Sequence, residues 1–207
     1  MNRTHHDRVH AIVVAGHAGD ETVARSGLED QDPRARAAAL GSLDRMGALG
    51  DDTIRAAFRD GHVAVRLRAT KVAAGRPSLA TALVEALDDE PGVAENAAFA
   101  LGESRPPPSE ATNVIDALAA MALTHDDSLC REAAVAALGS LGDPRGLDAV
   151  LHGCTDRATV RRRAVLALAA FDGEEVSSML ERLTADRDLQ VRQAAEDLLG
   201  IERGEAT

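Results

Sequence analysis

Histidine and cysteine are the residues of this chain most able to bind a metal ion or act as a nucleophile, and it has seven histidines and two cysteines. His6 and His10 are four residues apart, which would place both on one helix face, where Asp7 or His5 could complete a zinc site. Histidines near a terminus are more often solvated. We therefore expect no metal and no cofactor, and keep His6 and His10 as the candidate metal-binding pair.

The two cysteines do not have the spacing of a metal site or of a disulfide scaffold. Cys130 occupies a position that is usually valine in related segments of this chain, so we expect a buried core thiol. Cys154 lies in the sequence HGCTD, which is typical of a turn, and no base is placed reliably beside it. We expect no catalytic residue.

The dipeptide Arg131-Glu132 is a further candidate site, in the segment CREAAVAALGSLGD (130–143). Similar segments recur at steps of 30, 28, 37, 30 and 31 residues. Each segment has one position that is usually arginine, which we call the arginine position; it is filled by Arg36, Arg66, Ala94, Arg131, Arg161 and Arg192. An alanine stands three residues after it and a leucine or alanine seven residues after it, so these residues share one helical face.

This recurrence indicates a structural role for the arginines. The planar guanidinium can bridge two acceptors, so each arginine is expected to reach a carboxylate or a carbonyl of an inter-helix loop, in its own or the adjacent repeat. We call this set, Arg36, Arg66, Arg131, Arg161 and Arg192, the arginine ladder. The run Arg161-Arg162-Arg163 is also the densest basic patch. Two interpretations remain open for it: a solvated helix face, or a docking site for an acidic peptide or a phosphate.

Each recurring segment is preceded by aspartates, which favour the N-terminal end of a helix, and by a second, more variable helical segment. The sequence thus predicts about six helical hairpins and a further helix near residues 7–15. We expect one domain over residues 1–207, in which the PPP-containing stretch 103–112 is a stiff loop. The predicted repeats cover about 20–46, 51–75, 77–103, 109–142, 143–171 and 173–200.

Composition supports an all-α fold and limits the partners. Hydrophobic residues make up 45% of the chain and aromatic residues only 1%, so the core must be built from closely packed Ala, Leu and Val. The net charge of −11 and the lack of aromatic stacking surfaces disfavour nucleic acid and anionic membranes. The N-terminus lacks the apolar segment of a signal peptide, and a cytoplasmic location is expected.

The pattern D-x-x-V-R-x-x-A-x-x-A-L-G, repeated in helical pairs over about residues 20–200, resembles the HEAT repeat, in particular the PBS-lyase HEAT-like type. The resemblance implies a right-handed α-solenoid in which the motif helices line a concave side that binds partners. Two departures are visible: Ala94 replaces the arginine of the third repeat, and the second repeat lacks the closing Leu-Gly.

Enzymes with related repeats supply the alternative hypotheses. Deoxyhypusine hydroxylases bind two irons through His-Glu pairs, but this chain contains no His-Glu dipeptide, and the protonated Arg131 cannot ligate a metal. Related DNA glycosylases require a basic cleft lined by aromatic residues, which this composition does not offer. A bilin-lyase-like enzyme or enzyme subunit remains the alternative, although nothing in the sequence points to a chromophore site.

The resemblance also suggests which residues bind a partner. If the offsets −1, +3 and +7 from the arginine position are packed, the offsets +1 and +5 point more nearly toward the concave side. Phe99 is either an exposed anchor there or packs inward against a neighbour. The candidate partner-binding residues are Leu67, Lys71, Glu95, Phe99, Glu132, Arg162, Leu166 and Gln193.

Together these patterns predict a non-enzymatic scaffold that binds a protein or peptide on its concave face, with apolar anchors rimmed by charge. We expect a monomer or weak oligomer and no small-molecule ligand.

Overall fold

A computed structural model describes residues 3–202 of the chain, and the side chains of residues 6–200. The ends of the predicted domain, residues 1–2 and 203–207, lie outside the described residues. Within 3–202 the chain is all-helical, without a strand. No helix in this range is long and apolar enough to span a membrane.

The described helices form a leading helix followed by six pairs. The leading helix is α1 (Arg3–Ala18). The first helices of the pairs are α2 (Glu21–Ser26), α4 (Asp51–Ala57), α6 (Ala80–Glu85), α8 (Pro108–Thr124), α10 (Leu147–Gly153) and α12 (Glu174–Leu183). The second helices are α3 (Pro33–Arg45), α5 (Val63–Ala73), α7 (Pro91–Glu103), α9 (Ser128–Leu141), α11 (Ala158–Ala167) and α13 (Leu189–Glu202).

Aspartates and prolines fix where several helices begin. The Asp32 carboxylate accepts a hydrogen bond from the Arg34 amide at 2.9 Å, and Asp127 accepts one from the Leu129 amide at 2.8 Å. These side chains satisfy amide groups that have no partner within the helix. Pro33 occupies the first turn of α3, where the missing N–H costs no hydrogen bond. The acids that precede each repeated segment thus act as helix caps at these positions.

The second helices pack in a row, each against the second helix before and after it. The repeated alanine three residues after each arginine position lies in the middle of these contacts and is fully buried in all six pairs. These residues are Ala39, Ala69, Ala97, Ala134, Ala164 and Ala195. One apolar core extends from Ala24 to Leu199, so the six pairs share a continuous interior. The all-α repeat solenoid predicted from the sequence is confirmed.

Glycines permit the closest of these helix contacts. A Cβ added to Gly102 of α7 would lie 2.8 Å from the Ala137 Cα of α9. A Cβ added to Gly139 of α9 would lie 2.9 Å from the Ala167 Cα of α11 and 2.6 Å from its Cβ. Backbone cannot move aside as a flexible side chain can, so these two glycines set the spacing of α7, α9 and α11.

The proline-rich connection is shorter than the predicted loop over 103–112. Helix α7 includes Glu103 and α8 begins at Pro108, so only residues 104–107 are irregular. Pro108 is accommodated because its missing N–H falls in the first turn of α8. Ser104 is buried and its hydroxyl accepts a hydrogen bond from the Gly75 amide at 2.9 Å, which ties this connection to the preceding repeat.

Candidate functional site: a groove across α7, α9 and α11

A groove of about 810 Å³ crosses the second helices of the third, fourth and fifth pairs. We call it the α7–α11 groove, and define it by α7 residues 95–103, α9 residues 129–140 and α11 residues 163–167 with the following 169 and 170. It lies in the middle of the row of second helices.

The first wall of the groove is one face of α7. Glu95, Phe99 and Glu103 follow one another at intervals of four residues and line the groove together. Phe99 is 60% exposed, so it projects outward and does not pack against a neighbouring core. The sequence left open whether Phe99 is exposed or packs inward, and the structure shows that it is exposed.

The floor of the groove is α9, whose residues there are almost all small. Ala133, Ala136, Ala137, Gly139 and Ser140 line it, and none of them raises a long side chain into the space. An exposed Leu129 stands at the beginning of the same helix. The small side chains leave a depression between taller neighbours.

The second wall is α11, which contributes Arg163 and Leu166. Leu166 is 55% exposed. One Arg163 guanidinium nitrogen lies 3.6 Å from a carboxylate oxygen of Glu132 on α9, a loose and solvent-exposed ion pair. The groove therefore has apolar side chains on both walls and charged groups beside each of them.

Large side chains cover the equivalent space at two junctions nearer the N-terminal end of the row. Between α3 and α5, the Arg68 guanidinium lies over Gly41, where an added Cβ would be 3.2 Å from Nη1. Between α1 and α3, Arg45 covers Gly16 in a similar way. Ala133 stands in α9 where α5 has Arg68, two residues after the arginine position of each helix. The groove is open because its central helix lacks this side chain.

The structure brings four of the eight candidate partner-binding residues into the groove: Glu95, Phe99, Glu132 and Leu166. Leu67 is half-buried and packs against the core, so it does not project as an anchor. Lys71 and Gln193 are exposed but lie on α5 and α13, away from the groove. Whether the four groove residues bind a partner stays a prediction.

Arg162 is turned away from the groove, and its place is taken by Arg163. The Arg162 guanidinium forms a two-pronged ion pair with Asp188, with N–O distances of 2.6 to 3.1 Å. The hydrogen bond from Arg162 lowers the pKa of Asp188 to about 2. Glu95 and Glu132 stand at the same offset and do line the groove, so the position of Arg162 follows from its pairing with Asp188 and not from the offset alone.

The run Arg161-Arg162-Arg163 is not a free basic patch either. Arg161 is buried and pairs with Asp186 at 2.9 Å, Arg162 pairs with Asp188, and Arg163 lies near Glu132. Each cation has its own carboxylate, so the structure does not favour a docking site for phosphate or an acidic peptide there.

Four arginines of the ladder each bind an aspartate of the next repeat through two hydrogen bonds, at 2.6 to 2.9 Å. The pairs are Arg36 with Asp60, Arg66 with Asp89, Arg131 with Asp156 and Arg161 with Asp186. The third guanidinium nitrogen donates to a carbonyl of the arginine's own repeat, at 2.8 to 3.0 Å. Arg192 makes only the carbonyl contact, to Asp186 at 2.7 Å, within the described residues.

These pairs favour the charged form of both partners. The hydrogen bond from Arg131 lowers the pKa of Asp156, and the same bond raises the pKa of Arg131. Arg36 acts likewise on Asp60. Such charge-assisted, two-pronged bonds hold one repeat to the next.

The sequence reasoning missed a further member of the ladder, Arg8 of α1. Its guanidinium binds both carboxylate oxygens of Asp30, at 3.0 and 3.2 Å, as the later arginines bind theirs. The signal was present: Arg8 precedes Arg36 by 28 residues, and Ala11 and Gly16 stand at the spacing that the repeat uses. Helix α1 therefore occupies the place of a second helix.

Among the described residues, the ladder is interrupted between the third and fourth pairs, where the arginine is absent and a histidine stands at one of the two positions that aspartate acceptors use. Ala94 stands where the arginine is expected, and it is fully buried. His125 stands six residues before Arg131, where the first, second and sixth pairs have Asp30, Asp60 and Asp186. Its Nδ1 accepts a hydrogen bond from the Asp127 amide at 3.0 Å, which is the local role of those aspartate side chains. This junction joins α7 to α9, two of the three helices that form the groove.

The remaining chemical candidates are not assembled into a site. His6 and His10 are exposed on α1, and no cluster of three or more His, Cys, Asp or Glu residues suited to a metal occurs among the described residues; the side chain of His5 lies outside them. Cys130 and Cys154 are both buried, and burial raises their pKa to about 11 and about 12. Protonated buried thiols are poor nucleophiles.

Comparisons with known proteins agree with this architecture. Residues 79–159 match a family model of HEAT repeats. No curated protein sequence matches the chain. The fold is similar to that of YibA from Escherichia coli, with a TM-score of 0.62 and 19% identity over 81% of this chain and 63% of that one. This chain thus spans somewhat less than two thirds of YibA.

Two further structures have the same kind of fold. A designed armadillo repeat protein in complex with the peptide (KR)4 has a TM-score of 0.64 and 17% identity, over 85% of this chain and 96% of that one. Human deoxyhypusine hydroxylase in complex with glycerol has a TM-score of 0.51 and 18% identity, over 96% and 80%. At these identities the likeness shows the fold alone: a HEAT- and armadillo-like helical repeat solenoid.

Proposed function

We propose that this chain is a non-enzymatic scaffold that binds a segment of a partner protein in the α7–α11 groove. The observation that carries the proposal is the groove itself, in which Phe99 and Leu166 stand exposed on opposite walls above a floor of small residues. Apolar anchors surrounded by charged groups are typical of protein interfaces. The designed armadillo protein bound to a peptide gives a precedent for this use of the fold.

The polar groups of the groove favour binding over catalysis. Glu95, Glu132 and Arg163 are spread over three helices, and no nucleophile lies beside a base among the residues that line the groove. The two thiols are buried, without a disulfide. Unpaired thiols suit a reducing compartment, so a cytoplasmic site of action is part of the same proposal. The protein would act as a monomer or weak oligomer.

Site-specific photo-crosslinking tests this function. A photoreactive amino acid replaces Ser140, which is exposed in the groove, or Ala120, which is exposed on α8 in the other layer. Cells are irradiated and the adducts are identified by mass spectrometry. We expect a defined protein adduct from position 140 and not from position 120, and its loss when Phe99 and Leu166 are both changed to alanine.

Both replaced anchors are exposed, so the double variant should keep its circular dichroism spectrum and unfolding midpoint, and loss of the adduct would then report on binding. Equal labelling from both positions, or an adduct that survives the double substitution, would contradict the proposal.

A further inference from the structure

We propose that the segment bound in the α7–α11 groove is basic, with lysine or arginine side chains on either side of an apolar residue that packs on Phe99. This inference rests on the proposed function and specifies the chemistry of the partner.

The face of α7 supplies the pattern. Glu95, Phe99 and Glu103 are spaced by four residues, about 6 Å of helix rise per step, so an aromatic ring lies between two carboxylates on one line. A bound segment with an apolar side chain over the ring would bring its flanking residues within reach of both acids.

These two carboxylates are available to a partner. Neither Glu95 nor Glu103 takes part in an ion pair within the described part of the chain, whereas the ladder aspartates Asp60, Asp89, Asp156 and Asp186 all do. Glu103 is exposed and Glu95 half-buried. A partner cation would therefore replace water at these groups without breaking an existing contact.

The opposite side of the groove does not cancel this charge. Three glutamates, Glu95, Glu103 and Glu132, face a single cation, Arg163, whose one near carboxylate is Glu132 at 3.6 Å. Because Glu132 lies near Arg163, the excess negative charge of the groove is carried by Glu95 and Glu103. Rim charges of this kind select partners of opposite sign and speed their association.

The charge of the whole chain acts in the same direction. With a net charge of −11, the protein attracts cationic segments toward the groove and repels acidic ones. The same repulsion disfavours a second copy of this chain as the occupant. The exposed Leu129 and Leu166 give the groove further apolar surface, so a purely ionic ligand would use only part of it.

Direct binding of defined peptides tests this inference. The probes are fluorescein-labelled (KR)4, the same peptide with its fourth residue changed to leucine, and the acidic peptide (ED)4, measured by fluorescence anisotropy at low salt. We expect the leucine-containing basic peptide to bind most tightly and (ED)4 not to bind. Because both the charges and the ring contribute, Phe99→Ala should reduce the preference for the leucine-containing peptide over (KR)4.

Two matched double variants separate the groove from general attraction. Glu95→Gln with Glu103→Gln should weaken binding of the leucine-containing peptide roughly fivefold or more, since two exposed ion pairs are removed. Glu85→Gln with Glu175→Gln removes the same charge from exposed positions on α6 and α12 and should change it less than about twofold, through the small change in net charge. Equal effects of the two double variants, or no binding of either basic peptide, would overturn the inference.

The outcomes also separate this inference from the proposed function. If the crosslinked adduct at position 140 depends on Phe99 and Leu166 but is unchanged in the Glu95→Gln, Glu103→Gln variant, the groove binds a partner and the basic chemistry is wrong. If basic peptides bind through the two glutamates but no adduct forms in cells, the inferred peptide chemistry stands and the proposed cellular scaffold function does not.

Discussion

Arg131 shows how single side chains join neighbouring repeats. It donates two hydrogen bonds to Asp156 of the next repeat and one to the His125 carbonyl of its own, so one guanidinium fixes two loops relative to each other. A lysine carries the same charge but lacks the planar fork needed for all three bonds. The role of this residue is therefore a matter of geometry as much as of charge.

We predict that Arg131→Lys lowers the free energy of unfolding by about 1–2 kcal/mol, because the two-pronged bond to a largely buried carboxylate is lost. Urea denaturation followed by circular dichroism measures this change. Arg163→Lys is the matched control, since its pair is long and exposed, and it should change stability by less than about 0.5 kcal/mol. A loss of similar size in both variants would contradict a specific role for the ladder.

The ladder aspartates also predict how stability depends on pH. Hydrogen bonds from arginine lower the pKa of Asp60, Asp89, Asp156 and Asp186 in the folded state, and that of Asp188 to about 2. Groups with a lowered folded pKa stabilise the fold above their unfolded pKa of about 3.9, and this contribution is lost as pH falls through the folded value.

We therefore expect the thermal unfolding midpoint to fall steeply from about pH 5 toward pH 2. Asp156→Asn removes one of the titrating groups, so its midpoint should be lower at pH 7 but should fall less over the same range. Melting curves at pH 7, 5, 4 and 3 provide the comparison. Parallel curves for the two proteins would show that this aspartate does not contribute.

At the scale of helices, most of the fold could be predicted from the sequence, because the same packed positions recur in each repeat. The buried alanines, the aspartate caps and the six helical pairs follow from periodicity and residue type. The register of α1 was missed because Asp7 precedes Arg8, whereas an apolar residue precedes each later arginine position. The connection before α8 was predicted too long, because a run of prolines does not show that its last member starts a helix.

The close approach of α9 and α11 predicts a strong effect of one added methyl group. Gly139→Ala would place its Cβ 2.9 Å from the Ala167 backbone, and we expect the two helices to separate at a cost of about 1–3 kcal/mol in unfolding free energy. Gly200→Ala is the control, because nothing lies within 4 Å of the position and alanine favours a helix. The denaturant midpoint should fall for Gly139→Ala and should rise or stay unchanged for Gly200→Ala. An unchanged midpoint for Gly139→Ala would mean that the two helices are not held at this distance.

For the whole molecule, the groove was only partly predictable. Helical offsets grouped Glu95, Phe99, Glu132 and Leu166, which all line the groove, because residues three or four apart share one helix face. Their role in binding stays a prediction. Arg163 and the small floor were missed, because whether a depression is open depends on long side chains from neighbouring helices. Arg68 and Arg45 cover the corresponding space near the N-terminal end, and no spacing rule shows which way such side chains turn.

The interruption of the ladder also belongs to this scale, because the third and fourth pairs share the continuous core but lack the arginine–aspartate pair that joins other neighbours. We predict that Ala94→Arg alone destabilises the protein, since it buries a charge without a carboxylate partner. Combined with His125→Asp, it should recover part of the loss, with a coupling energy of about 1–2 kcal/mol. A double-mutant cycle by urea denaturation measures the coupling, and strict additivity of the two changes would contradict the assignment of His125 to the aspartate position.

The ladder has a consequence for how such a chain can change its length. Each arginine and its aspartate come from consecutive repeats, so duplication of one repeat supplies both the missing donor and the missing acceptor in a single event. The fourth repeat differs, since its loop presents His125 where the first, second and sixth repeats present an aspartate. A third repeat with Ala94 suits this loop better than one with an arginine, so duplication between these two repeats would not restore a ladder pair as directly as it would elsewhere.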